Sequence, residues 1–188
     1  NQTKVKKKTK ILIYGLGGVG LSALITTLYK KSNNIYIHDK NTKKVKKIIE
    51  YFTKNHSLKI NFFENEFDKN FEAFFDYVIE CTGNVKSIEK SLKFIGNNGK
   101  VIFASHPPKD KKLRISPHEL IKGKKIEGSW GGNTNFVKNM REFIKIFKKF
   151  KGVENLFFSH SYSLFDINKA ISDMINGKTL RPIIKFNK

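Results

Sequence analysis

Cysteine is almost absent from this sequence of 188 residues, since Cys81 is the only one. A single cysteine excludes a disulfide within the chain. It also excludes a zinc site built from several thiolates of this chain alone. We therefore expect a protein of a reducing compartment and take the cytoplasm as its location.

Long apolar runs are also missing. No stretch approaches the roughly 18 consecutive apolar residues of a membrane-spanning helix. The basic segment "NQTKVKKKTK" at the start is followed by apolar residues that glycines interrupt, and no small-residue cleavage site follows. We therefore predict neither a membrane partner nor a secretory signal peptide.

Acidic residues and arginine are scarce. The sequence has 16 acidic and 37 basic residues, for a net charge of +21, and only Arg114, Arg141 and Arg181 are arginine. Proteins that read nucleic acids favour arginine for bidentate contacts. Here lysines are scattered between apolar positions along nearly the whole chain, which favours a solvated lysine surface. The alternative is an electrostatic footprint for nucleic acid or an anionic membrane.

The apolar residues that are present predict alternating strands and helices. Apolar residues at helical spacing, such as Leu21, Leu24 and Leu28, follow the first strand, and similar stripes follow the later ones. The predicted strands are "ILIY", "NIYIHD", "LKINFF", "DYVIECTG", "GKVIFAS" and "KKIEGSW". Such alternation predicts an α/β fold with a doubly wound parallel sheet in the order 3-2-1-4-5-6.

The end of the chain does not belong to this pattern. We predict a helix with an apolar side from Phe136 to Phe150, a strand in "NLFFSHSY", a helix from Ile167 to Met174 and a strand in "RPIIKF". These elements exceed what six strands need. The predicted division is therefore a nucleotide-binding domain over residues 9–132 and a C-terminal segment over residues 133–188.

A glycine cluster lies between the first strand and the first helix. Gly15 permits the tight turn out of the strand, Gly17 leaves room for a pyrophosphate, and Gly20 allows close packing of helix on strand. The amides around Gly18 and Val19 lie at the helix start, where the helix dipole also favours an anion. This context makes the pattern G-x-G-x-x-G a prediction of dinucleotide binding.

Asp39 ends the second predicted strand, 19 positions after the last of these glycines. A carboxylate at this position accepts hydrogen bonds from a ribose diol and repels a 2′-phosphate. We therefore predict NAD rather than NADP as the cofactor. The neighbouring Lys40 works against this preference, because a basic residue can hold a phosphate.

An ordered set of motifs resembles the C-terminal part of zinc-type medium-chain alcohol dehydrogenases. The resemblance spans about residue 9 to the end of the chain. The motifs are "YGLGGVGLSALI", "IYIHDKNTKKVKK", "FDYVIECTG", "GKVIFASHPP", "IEGSWGG" and "FDINKAISDMINGKTLRPIIKF".

The resemblance implies further cofactor-binding residues. Lys44 matches a lysine near the adenosine ribose, and Thr82 and Gly83 would lie beside the cofactor. Ser105, with His106 and the backbone around Ser129 and Trp130, would approach the nicotinamide. Arg181 matches an arginine that reaches the pyrophosphate.

The resemblance also implies partners. The family carries its catalytic zinc and proton relay in a preceding domain, on which residues 133–188 would pack and which we expect to be absent from this chain. Zinc and a small alcohol or carbonyl substrate would come with that domain, so we name no catalytic and no metal-binding residue here. The family also predicts a homodimer through strand 124–130.

Two other functions remain open. The chain could be a non-catalytic NAD-binding sensor or scaffold, or a basic protein that binds nucleic acid. Cys81 is interpreted as a buried structural residue, His106 as an ordinary loop residue and Glu80 as hydrogen-bonded to backbone.

Overall fold

The computed structural model describes residues 6–186. Its first unit, residues 6–139, contains six parallel strands in the order β3-β2-β1-β4-β5-β6. These strands are Lys10–Tyr14 (β1), Asn34–His38 (β2), Asn61–Phe62 (β3), Phe75–Glu80 (β4), Ile95–Phe103 (β5) and Lys125–Gly128 (β6). The predicted doubly wound sheet and its strand order are confirmed.

Helices connect most of these strands. They are Gly18–Tyr29 (α1), Thr42–His56 (α2), Val85–Phe94 (α3) and Pro117–Ile121 (α4). Asn41 caps α2, since its side chain accepts a hydrogen bond from the Lys44 amide at 3.0 Å. Between β3 and β4 the chain forms only the short 3-10 turn Lys69–Phe71.

The core of this unit lies on both faces of the sheet, as the continuous apolar runs of a parallel sheet require. Leu12, Val78 and Val101 come from three neighbouring strands and pack with Phe63 and Phe94 in one buried cluster.

The carboxyl ends of the strands meet at one edge of the sheet. The first residue after β1, Gly15, donates its amide to His38 O at 2.8 Å, and Cys81 after β4 donates to Tyr14 O at 2.8 Å. The loops that follow β1, β2 and β4 therefore leave the sheet side by side. This edge is where ligands bind in open α/β sheets.

The second unit covers residues 140–186. Helix α5 crosses the division between the units, and two short parallel strands pair with each other. The elements are Phe136–Lys149 (α5), Glu154–Phe157 (α6), Ser161–Ser163 (β7), Ile167–Ile175 (α7) and Ile183–Lys185 (β8).

One predicted element of this unit is wrong in its first half. The segment "NLFFSHSY" begins as part of helix α6, and only its end joins β7. Val153 and Phe157, four residues apart, are both buried, which is the spacing of one helical face. In the sequence, the consecutive apolar residues Leu156, Phe157 and Phe158 look like a buried strand and show no helical spacing.

Many large apolar side chains of the second unit are exposed. Phe165 is 98% exposed, Ile175 76% and Phe186 73%. The predicted packing of residues 133–188 on another domain, and the boundary at residue 132, stay predictions. Across residues 6–186, none of the helices has the length and apolar character needed to cross a membrane.

Candidate functional site

Two glycines of the loop, Gly15 and Gly20, have neighbours that leave no room for a side chain. Gly15 has φ +96°, and a Cβ there would lie 2.9 Å from Thr82 Cγ2. A Cβ on Gly20 would lie 1.8 Å from the Gly15 carbonyl oxygen, which is far inside any real contact distance. These two glycines therefore set the tight turn and the close approach of α1 to β1.

Gly17 has the opposite environment. A Cβ on Gly17 would meet nothing within 4 Å, so the loop faces open space at this residue. Gly17 is the N-cap of α1, and no side-chain hydrogen bond caps this helix start within the described part of the chain. The first-turn amides, including those of Gly18 and Val19, have no acceptor inside the helix. The loop therefore presents amides and space to an anionic group such as a diphosphate.

Asp39 follows β2 and connects it to the glycine loop. Its Oδ2 accepts from the Leu16 amide at 2.8 Å and from Lys44 Nζ at 2.7 Å, and its Oδ1 accepts from the Asn41 amide at 2.9 Å. Burial alone raises the pKa of Asp39. The hydrogen bonds from Lys44, Asn41 and Leu16 outweigh burial and hold the pKa below its ordinary value.

These contacts refine the predicted role of Asp39. A carboxylate offers about four acceptor positions, and three are used, so Oδ1 keeps room for one further donor. The ion pair with Lys44 also balances the carboxylate charge. Lys40 next to it is exposed. The charge that would repel a 2′-phosphate is therefore weaker than the sequence suggested.

Glu80, the last residue of β4, is fully buried with 0% exposure. Its Oε1 accepts from the Thr82 amide at 2.6 Å and from the Thr82 hydroxyl, and its Oε2 accepts from the Ser105 hydroxyl. Two residues predicted to approach the cofactor are thus joined through one carboxylate. The sequence-based interpretation of Glu80 as bonded to backbone gave only the first of these contacts.

The other predicted residues lie as follows. Gly83 has φ +77°, and a Cβ there would meet nothing within 4 Å. Arg181 belongs to the second unit, where its amide donates to Phe157 O at 3.1 Å. Its predicted contact with the pyrophosphate stays a prediction. His106 packs edge-on against Trp130, with ring centroids 4.9 Å apart.

The structure corrects the expectation of a fully buried Cys81, because the residue is partly exposed. Burial, followed by the nearby charge of Glu80, raises the pKa of its thiol to about 12. Within residues 6–186, no group of three or more His, Cys, Asp or Glu side chains is arranged to hold a metal ion.

A cluster around Tyr14 was missed by sequence reasoning. The Tyr14 hydroxyl donates to Glu66, and Lys90 Nζ lies 2.9 Å from the same carboxylate. Burial and Glu66 raise the pKa of Tyr14. The cluster ties the segment after β3 to the end of β1, next to the glycine loop. The tyrosine directly before Gly15 is the one signal that could have indicated it.

Comparison with known proteins agrees with this arrangement. A family model described as "Zinc-binding dehydrogenase" matches residues 18–149. The S-(hydroxymethyl)glutathione dehydrogenase of Paracoccus denitrificans is 26% identical over 99% of this chain and 52% of its own length. Alcohol dehydrogenase 2 of Oryza sativa subsp. japonica is 24% identical over 100% of this chain and 51% of its own length. The chain thus spans about half the length of these relatives.

Solved structures show the same fold. Benzyl alcohol dehydrogenase from Acinetobacter calcoaceticus matches with a TM-score of 0.80 and 22% identity, over 98% of this chain and 51% of its own. A zinc-binding dehydrogenase from Sinorhizobium meliloti 1021, bound to NADP, matches with a TM-score of 0.69 and 18% identity, over 90% of this chain and 50% of its own.

The family match covers well over half of the chain, and the relatives align along nearly all of it. The resemblance expected from the motifs is confirmed, and the sheet order is that of the solved relatives. The chain therefore belongs to the zinc-binding dehydrogenase family and has the fold of the cofactor-binding part of an alcohol dehydrogenase of that family.

Proposed function

We propose that this chain binds NAD and positions it for hydride transfer in an alcohol or polyol dehydrogenase. The observation that carries the proposal is the pairing of an uncapped helix start and open space at Gly17 with Asp39, which bonds the same loop. The residues present fit a dinucleotide, whose pyrophosphate would be held by the amides of α1. The bound cofactor supplies the hydride acceptor, while the protein supplies binding and orientation.

The adenosine ribose would be held jointly by Asp39 and Lys44. Oδ1 of Asp39 keeps one acceptor position for a hydroxyl. Lys44 Nζ has three donors, and one of them is used by Asp39. NAD is favoured over NADP because a carboxylate faces the ribose. The preference should be modest, because Lys44 balances the charge and Lys40 is exposed.

Arg181 would add a contact to the pyrophosphate, and a preceding domain would supply zinc, the proton relay and the substrate pocket. A homodimer through strand 124–130 belongs to the same proposal. The cytoplasmic location expected from the sequence stays a prediction.

The proposal is tested by titrating the full-length protein with NADH and NADPH while following nicotinamide fluorescence. We expect Asp39→Ala to lower NADH affinity by about one to two orders of magnitude, because a hydrogen bond to a charged group contributes about 1.5–3 kcal/mol. The loss for NADPH should be smaller. Glu50→Ala is the control, since it also removes a carboxylate paired with a lysine, but on the exposed face of α2.

Equal losses for the two cofactors would refute the role of Asp39 in choosing between them. Absence of nucleotide binding in the wild-type protein would refute the proposed function. NADH binding without turnover of any alcohol would support the alternative of a non-catalytic NAD-binding module.

A further inference from the structure

Glu80 is a buried carboxylate at the centre of the cofactor edge of the sheet. In the parallel sheet, Glu80 is in register with Tyr14 of β1 on one side and with Phe103 of β5 on the other. The strand order reverses between β1 and β4, so Glu80 lies at the topological switch point where the crevice opens.

The hydrogen bonds of Glu80 join the two loops that follow β4 and β5. Thr82 lies in the first loop and Ser105 in the second, 25 positions after Glu80. A carboxylate is only an acceptor, so both hydroxyls must donate their single proton to it. Thr82 Oγ1 in addition accepts from the Asn84 amide at 3.0 Å. Neither hydroxyl can therefore donate to a cofactor.

The charge of Glu80 has no cation against it. In the part of the chain that the structure describes, none of the ion pairs involves Glu80. Its partners are one amide and two hydroxyls, which are dipoles without net charge. The same charge is felt by neighbours, because it contributes to the raised pKa of Cys81. An uncompensated anion in a buried position acts over a longer range than one in water.

We propose that Glu80 is an electrostatic positioning residue that favours the oxidised cofactor over the reduced one. The inference rests on the proposed function, together with the expectation that Thr82 lies beside the cofactor and that the loop around Ser105 approaches the nicotinamide. The nicotinamide ring is a cation in NAD⁺ and neutral in NADH. A buried negative charge behind the two loops stabilises the cation and leaves the neutral ring almost unaffected.

The test is the affinity of the full-length protein for NAD⁺ and NADH, measured by calorimetry and fluorescence in wild type and in Glu80→Gln. The amide is isosteric and can still accept from the Thr82 amide, but it removes the charge. We expect the Kd for NAD⁺ to rise about fivefold or more while the Kd for NADH changes less than about twofold.

Asp76→Asn is the matched control. Asp76 lies at the amino-terminal end of the same strand, β4, whereas Glu80 lies at its carboxyl end. Asp76 is exposed and accepts a hydrogen bond from the Lys10 amide at 2.8 Å. The substitution removes the same charge, and both Kd values should stay within about twofold of wild type. Equal weakening of NAD⁺ and NADH by Glu80→Gln would overturn the proposal, because that is the result of a purely structural role.

A second measurement needs no variant. Wild-type protein is titrated with benzamide adenine dinucleotide, which has a neutral ring in place of the pyridinium. We expect NAD⁺ to bind about fivefold more tightly or better, and equal affinities would overturn the proposal. If the wild-type protein binds no nucleotide at all, the proposed function itself fails, whereas selective failure of these comparisons leaves nucleotide binding intact.

Discussion

At the residue scale, two glycines of the loop differ in what surrounds them: Gly20 is packed against backbone and Gly17 faces open space. A Cβ on Gly20 would collide with the backbone of Gly15, whereas a Cβ on Gly17 would enter open space. The backbone of Gly17 has φ −68°, which any residue can adopt. Gly20 is therefore needed for the fold, whereas Gly17 is needed only if a ligand fills the space beside it.

This contrast gives a paired prediction. Gly20→Ala should lower the free energy of unfolding by at least about 2–3 kcal/mol, because packed backbone must move. Gly17→Ala should cost no more than about 1 kcal/mol, the penalty of alanine at an N-cap. It should nevertheless weaken NADH binding about tenfold or more, since the methyl group occupies the expected pyrophosphate position.

Denaturant unfolding and NADH titration of the two variants check this prediction. If Gly17→Ala binds NADH like the wild type, the space beside Gly17 is not where the pyrophosphate lies.

The sequence predicted these glycines because their constraints are local in the chain. Spacing alone placed Gly15, Gly17 and Gly20 between a strand and a helix. The full role of Glu80 could not be predicted in the same way. Its partner Ser105 lies 25 positions away and comes into contact only when β4 and β5 pair.

At the element scale, β6 is one of the two edge strands of the six-stranded sheet. Ser129 donates its amide to Phe103 O at 2.9 Å, so alternate residues of this segment bond to β5. The alternation of a strand then directs the Ile126 amide away from β5. An edge of this kind is suited to pairing with a second copy about a two-fold axis.

We therefore expect Ile126→Pro to convert the proposed dimer into a monomer, because proline removes the outward-facing donor. Ile126→Val keeps the amide and the apolar side chain, and it should remain dimeric. Sedimentation measurements on both variants check the prediction. A wild-type protein that sediments as a monomer, or an unchanged Ile126→Pro dimer, would contradict it.

Apolar spacing predicted most elements, including short ones such as β6 and β8, and the exception is α6. The six strands and the helices between them follow from apolar spacing over many residues. Helix α6 has only 4 residues, which is too short for apolar spacing in the sequence to indicate a helix. Its helical face is defined by the joint burial of Val153 and Phe157 in the structure.

At the scale of the whole molecule, the net charge of +21 is the most unusual property. Several lysines are paired with acidic groups, such as Lys44 with Asp39 and Lys90 with Glu66. Many others lie on exposed faces, as on α2 and α5. Composition alone predicts this surface, but it could not predict which lysines are paired.

The alternative of nucleic-acid binding makes a distinct prediction. If the charge is a solvated surface, duplex DNA should bind the full-length protein only weakly at every salt concentration between about 50 and 200 mM. NADH affinity should change less than about threefold over the same range, because it depends on few charges. Steeply salt-dependent DNA binding, together with no binding of NADH, would favour the alternative.

The hydrogen bond from the Leu16 amide to Asp39 orders the glycine loop before any ligand binds. It pins the glycine loop to the end of β2 in the free chain. The conformational entropy of that loop is therefore lost when the chain folds and not when a dinucleotide arrives. Because the glycine loop is already ordered in the free chain, less of the binding free energy of the proposed dinucleotide is spent on ordering it.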